Sequence, residues 1–174
     1  MDYSNEFLDV VDDEDNIVGK ASRKECHDKR LTHRTVMFFI FDKAGGILVN
    51  KRAADKEFFG GLWSIVLGGH VGAGQTYDDA AVREAYEEAG VKSNPFVMGD
   101  FKKRIPQECE NVRVYGFMTS DKPNLLKDEI ECGEFMKINE VEKKVAQEEF
   151  IPETTQLMKI LKRNLSENKL LTIT

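Results

Sequence analysis

The chain has 174 residues, with 25 Lys or Arg against 31 Asp or Glu, for a formal charge of −6. A composition that is 41% hydrophobic and 32% charged, with 4 Pro and 13 Gly, fits one folded domain over residues 1–174 and excludes a disordered chain or a fibrous repeat. The acidic balance argues against a broad electrostatic grip on nucleic acid or an anionic membrane, so a phosphate-bearing substrate would need a cation or a local donor cluster.

The opening residues Met1-Asp2-Tyr3-Ser4-Asn5-Glu6 carry neither a basic n-region nor an apolar h-region, so no secretory leader is expected. Phe7 to Val11 and Ile17 to Lys20, joined by an acidic turn, predict a short hairpin. Ser22 is placed to cap a short helix over Arg23 to Lys29. Thr35 to Phe41 is β-branched and aromatic, and predicts a buried strand. Its apolar part, Val36 to Phe41, is six residues long, whereas a membrane helix needs about 20. A cytoplasmic protein with no membrane partner is expected.

The turn Lys43-Ala44-Gly45-Gly46 leads to Ile47–Arg52, predicted to pair antiparallel with the preceding strand. An irregular stretch over 53–61 precedes the apolar segment Trp63 to Leu67. Four glycines within Gly68-Gly69-His70-Val71-Gly72-Ala73-Gly74 predict a loop. Thr76 to Ala89 has a helical pattern and Gly90 is a natural stop. Strands are predicted over Phe96–Arg104, Val112–Thr119 and Phe135–Ile138. Asn139 is read as the cap of a helix over 140–147. Pro152 is read as the first residue of a last helix whose Leu157, Ile160, Leu161 and Leu165 face the core. The three cysteines, Cys26, Cys109 and Cys132, form no C-x-x-C pair and read as reduced thiols. The coarse reading is one α/β domain with a mixed sheet.

The informative segment is Arg83-Glu84-Ala85-Tyr86-Glu87-Glu88-Ala89-Gly90-Val91. At 100° per residue, Glu84, Glu87 and Glu88 share one arc of a helix, while Val82, Ala85, Tyr86 and Ala89 occupy the opposite, packing arc. Three carboxylates on one face read either as a solvated acidic surface or as oxygen ligands for a hard cation such as Mg²⁺ or Mn²⁺. The Gly-rich stretch before the helix favours the second reading. Glycines admit close backbone approach, and amides near a helix N-terminus favour phosphate oxygens, so Gly68, Gly69 and His70 are expected to form a substrate-phosphate loop.

The spacing Gly69-x5-Gln75-x7-Arg83-Glu84-Ala85-x-Glu87-Glu88-x-Gly90-Val91 resembles the Nudix box, in which the Gln75 position is Glu and the Ala85 position is a bulkier aliphatic. The resemblance implies an α/β/α sandwich with a mixed sheet. It also implies metal-dependent hydrolysis of a phosphoanhydride in a small-molecule diphosphate, by a monomer or homodimer. Glu84, Glu87 and Glu88 would be the Mg²⁺ (or Mn²⁺) ligands and Arg83 would orient them. Gln75, in a supporting role, is expected to accept a hydrogen bond from Arg83 without a carboxylate's charge. Restoring Glu there is expected to tighten Mg²⁺ a few-fold.

Outside the box, Phe7–Asp12, Arg23-x-x-Cys26-His27, His33-Arg34 and Leu62-Trp63-x5-Gly69-His70 look like the branch related to isopentenyl-diphosphate isomerase. In the isomerase a cysteine immediately before the Gly-His pair works with a second-strand glutamate. Here Gly68 holds that position and the region around Val112 offers no obvious replacement, which speaks against isomerase chemistry by that mechanism; the isomerase, and a catalytically weak nucleotide-binding module in view of Gln75, are the alternatives. His27, His33 and His70 read first as structural groups, with a second metal site as the alternative the resemblance implies. Trp63 reads as core rather than as a stacking platform. Asp128, Glu129 and Glu131 are candidates for a base outside the box, although an exposed charge is the first reading of each. Specificity is expected in residues 53–61 and 120–132.

Overall fold

The computed structural model describes residues 6–56, 58–106 and 108–167. Residues 1–5, on which most of the no-leader reading rests, lie outside them. The elements in chain order are β1 (Phe7–Val11), β2 (Ile17–Ser22), α1 (Arg23–Lys29), β3 (His33–Asp42), β4 (Ile47–Arg52), β5 (Trp63–Ser64) and β6 (Leu67–His70). There follow α2 (Tyr77–Ala89), β7 (Phe96–Arg104), β8 (Cys109–Thr119), β9 (Ile130–Met136), α3 (Ile138–Gln147) and α4 (Thr154–Ser166).

β3 explains the layering. Its run is apolar at every position because both faces of the sheet are covered. Val36, Phe38 and Ile40 point to one side, where they meet Ala80, Ala81, Ala85 and Ala89 of α2. Phe39 and Phe41 point to the other, where they meet Val141 of α3 and Leu157 and Leu161 of α4. Leu157 and Leu161 are fully buried, worth about 1.5–3 kcal/mol each relative to exposure. The result is an α/β/α sandwich around a mixed sheet, as expected.

The predicted β3–β4 hairpin is confined to its mouth, where only Phe41 and Ile47 are in register. The rest of β3 is occupied by β6, antiparallel over Thr35–Phe38, and by β8, parallel over its whole length from His33↔Glu110 to Asp42↔Thr119. β7 continues the sheet beyond β8, antiparallel, with Lys103 opposite Glu110. β9 pairs with β4 and lies mostly ahead of the predicted Phe135–Ile138 strand, ending at Met136 because Lys137 caps α3 and Ile138 is its first residue.

Ser22 Oγ caps α1 by accepting from Glu25 N, and Thr76 caps α2 by accepting from Asp79 N. Gly90 ends α2 in the left-handed conformation, φ +68°. Two predicted starts shift. α3 begins at Ile138, because the Glu140 carboxylate reaches back to Lys137 N (2.8 Å) and Asn139 is already helical. α4 begins at Thr154, leaving Pro152 in the turn before it. The three thiols are free: Cys26 buried, Cys109 half-buried and Cys132 exposed. No described helix is long and apolar enough to cross a membrane.

Candidate metal and diphosphate site

Residues 68–70, expected as a loop, are strand β6. The glycines serve closeness rather than irregularity. A Cβ on Gly69 would stand 2.3 Å from the Glu84 carboxyl, and one on Gly68 would stand 2.2 Å from the Val36 carbonyl oxygen. α2 can therefore lie close against β6, and its small alanines allow the same approach. Val82 and Tyr86 do not pack as the helical arc predicted; they are 45% and 55% exposed. The packing face is the alanine row, and the arc carrying Glu84 and Glu88 turns toward a cavity.

That cavity has a volume of about 500 Å³. Glu84 and Glu88 line it together with β6, and Arg23, Arg52 and Lys56 bring positive charge to the same space. Glu87 stands apart, its side chain 42% exposed and 3.2 Å from Arg83 Nη1. Arg83 also holds Glu84 Oε1 at 2.8 Å and donates from Nη2 to the His70 carbonyl at 3.0 Å, so one guanidinium ties helix to strand. Burial raises the Glu84 carboxyl to about 7 against the pull of Arg83. Burial, with the charges of Glu84 and Glu129, also raises Glu88 well above the ordinary carboxylate range, although Gly68 N donates to its Oε2 at 3.3 Å. Two buried carboxylates pushed toward the neutral form are oxygen donors lacking positive charge, and a hard divalent cation would fit them.

Gln75 does not reach Arg83 as expected. Its Oε1 accepts from Gly72 N at 3.0 Å and closes the turn after β6. Trp63 packs against the core and lies under Lys144 Nζ of α3, 3.7 Å from the ring centre. Asp128 and Glu129 line the cavity, with Glu129 ion-paired to Lys56, whereas Glu131 pairs with Lys51 away from it. From the 53–61 segment, Asp55, Lys56, Phe58 and Phe59 face the cavity.

The three histidines, read first as separate structural groups, come together. Their ring centres form a near-equilateral triangle with sides of 5.2, 5.2 and 5.3 Å, and His27 Nε2 lies 3.2 Å from His70 Nε2. His33 Nδ1 lies 2.9 Å from the Leu31 carbonyl, which can only accept, so Nδ1 carries a proton and the ring is oriented with Nε2 toward Glu110. That Nε2 is buried without a hydrogen-bond partner among the described residues and is 3.7 Å from Glu110 Oε1. Burial and the charge of Arg23 keep the His70 imidazole well below its ordinary value, hence neutral. Imidazole nitrogens gathered beside a carboxylate fit a borderline divalent cation.

Glu110, two residues before Val112, is a carboxylate on β8 that local sequence does not mark. It starts the part of β8 that pairs with β3 and is buried on the cavity wall with Glu108, Glu153 and Lys103. None of these four was singled out. The available signal was the i, i+2 spacing of Glu108 and Glu110, which puts both on one face of a strand. Lys103 reads as one of three surface cations in Lys102-Lys103-Arg104, and Glu153 as a helix-start acid.

The NUDIX domain profile matches residues 31–155. An uncharacterized Nudix hydrolase of Streptomyces coelicolor is 34% identical over 161 residues, covering 88% of this chain and 86% of its own length. An isopentenyl-diphosphate Delta-isomerase 2 of Photorhabdus laumondii is 40% identical over 86 residues, 49% of each chain. Among solved structures, DR0079 from Deinococcus radiodurans superposes with a TM-score of 0.76 at 24% identity, covering 88% of this chain and 98% of its own.

Proposed function

The chain belongs to the Nudix hydrolase family, whose members hydrolyse pyrophosphate linkages, and from that premise we propose that it cleaves the phosphoanhydride of a nucleoside diphosphate linked to another group. Glu84 and Glu88, which face the cavity, are assigned to Mg²⁺ (or Mn²⁺) together with Glu87, which would leave Arg83 to join them, and His27, His33 and His70 with Glu110 to a second divalent cation. When bound, such ions offset phosphate charge and lower the pKa of a coordinated water. The observation that carries the reading is the buried Glu84–Glu88 pair facing a cavity that also receives Arg23, Arg52 and Lys56.

The chain's own residues divide the remaining work. Arg83 holds Glu84 and the β6 backbone in fixed relation, so the carboxylates do not reorganise when charge develops. Arg52 and Lys56 attract the diphosphate oxygens at the cavity wall. Glu129, which with Asp128 faces the cavity from the 128–131 group, is assigned to accept the proton of the attacking water. Phe58 and Phe59 offer an apolar wall to the group beyond the diphosphate.

The alternative isomerase reading is favoured by Glu110 and opposed by Gly68, which has no thiol to move a proton. A panel of nucleoside diphosphate conjugates together with isopentenyl diphosphate, assayed with Mg²⁺ and with Mn²⁺, tests the proposal. Hydrolysis that Glu87→Gln abolishes with an unchanged melt is expected. Isopentenyl diphosphate turnover alone would transfer the chain to the isomerase reading, and tight nucleotide binding without turnover to that of a binding module.

A further inference from the structure

The register of three strands places His33, Glu110 and Lys103 in one row: His33 is opposite Glu110 across β3 and β8, and Glu110 is opposite Lys103 across β8 and β7. Glu110 is shared. Its Oε1 is 3.7 Å from His33 Nε2, while its Oε2 is 3.6 Å from Lys103 Nζ and accepts from Thr35 Oγ1 at 3.3 Å. Lys103, 6% exposed, also contacts Glu108 and Glu153 and lies beneath the Phe59 ring, 5.6 Å from its centre.

Three carboxylates thus meet one ammonium. If all are ionised, two negative charges remain uncompensated beside the histidine cluster, and a divalent cation would balance them. His33 Nε2, buried and without a hydrogen-bond partner among the described residues, faces Glu110 from the other side. We propose that Lys103 is a positioning residue and built-in counter-cation that competes with the divalent ion for Glu110, so that the histidine cluster holds its ion weakly enough to exchange it. This rests on the assignment of a second cation to that cluster.

Two effects of removing Lys103 oppose each other. The cluster would gain one net negative charge in a poorly solvated space, which tightens cation binding. Glu110 would also lose one of its anchors, which loosens it. The charge effect dominates, because Glu110 keeps its Thr35 hydroxyl and its place in the strand register. Neutralising Glu153, which touches Lys103 but lies on a different element from the histidines, has the opposite sign. It removes one negative charge and leaves Lys103 a greater claim on Glu110.

The test is a Co²⁺ titration of the chelator-stripped full chain in millimolar Mg²⁺, followed by the visible absorption that imidazole ligation produces. Lys103→Met should bind Co²⁺ at least about tenfold more tightly than the native chain, Lys103→Arg within about twofold of it, and Glu153→Gln several-fold more weakly. A purely structural role for Lys103 would lower the melts of Lys103→Met and Glu153→Gln without moving affinity in opposite directions. Equal affinity in the native chain and Lys103→Met overturns the role of Lys103 alone. Where Lys103→Met fails to fold, native or tighter binding by Glu153→Gln overturns it. Absorption that is missing from the native chain, or that survives His33→Ala, overturns the cation site and this inference together.

Discussion

Replacing Glu84 by Gln removes a carboxylate that the fold holds against its own solvation. Burial raises the Glu84 carboxyl from 4.5 to about 7, with Arg83 opposing and Glu87 and Glu6 adding to the rise. At about 1.36 kcal/mol per pH unit, ionised Glu84 costs the metal-free protein about 3 kcal/mol near pH 8. The folded value lies above the unfolded one, so the favourable contribution is complete below about 4.5 and is lost as pH rises through about 7. Gln is neutral throughout, and its amide oxygen can still accept from Arg83. In chelator, Glu84→Gln should match the native chain to within about 1 kcal/mol at pH 5 and exceed it by about 3 kcal/mol at pH 8. For a chain of this length that is roughly 6–12 °C in Tm. Mg²⁺ should raise the native melt and leave that of the variant unchanged, and turnover should be lost. Thermal melts at both pH values decide the matter; a variant no more stable than the native chain at pH 8 refutes the account of Glu84 as a strained ligand.

The two glycines of β6 should respond differently to a methyl group. In Gly69→Ala the new Cβ meets the movable end of Glu84, so the melt should hold while Mg²⁺-dependent turnover falls at least about tenfold. In Gly68→Ala it meets the β3 backbone at Val36, so stability should fall by roughly 1–3 kcal/mol in a denaturant titration. Gln75→Glu, expected from the box alone to tighten Mg²⁺ a few-fold, should change Mg²⁺ affinity by less than about twofold, because the side chain braces Gly72 rather than Arg83. A Mg²⁺ titration showing tenfold tightening would return Gln75 to the metal's surroundings.

What was legible in the sequence is what local chemistry determines. The caps at Ser22 and Thr76, the stop at Gly90 and the uninterrupted apolar run of β3 each carry their meaning within a few residues. Misreadings arose where a distant neighbour decides. Hydrophobicity alone puts Val82 and Tyr86 on the inner arc of α2. The alanine row packs instead, because β6 is backbone-thin at Gly68 and Gly69. The same glycines looked like a loop because the chain that needs their closeness, β3 and Glu84, lies elsewhere in sequence. Lys103, Glu108, Glu110 and Glu153 are ordinary surface residue types, and nothing adjacent to them announces burial. Only the strand register makes His33, Glu110 and Lys103 neighbours.

The parallel pairing of β3 with β8 has a consequence for the order in which the cavity comes into being. The box side of the cavity draws on β6 and α2, which are consecutive elements, and on β3 about 30 residues before them, whereas the bond from Thr35 to Glu110 spans 75 residues and joins strands that cannot meet through a simple hairpin. Contacts of such long range form slowly, since the intervening chain must be ordered before they bring any gain. During folding the carboxylate helix should thus find its strand early, and the histidine–glutamate cluster should close when β8 docks. The same asymmetry should persist in the native protein as separate openings, with amides of β7 and β8 exchanging hydrogen independently of those in β6 and α2.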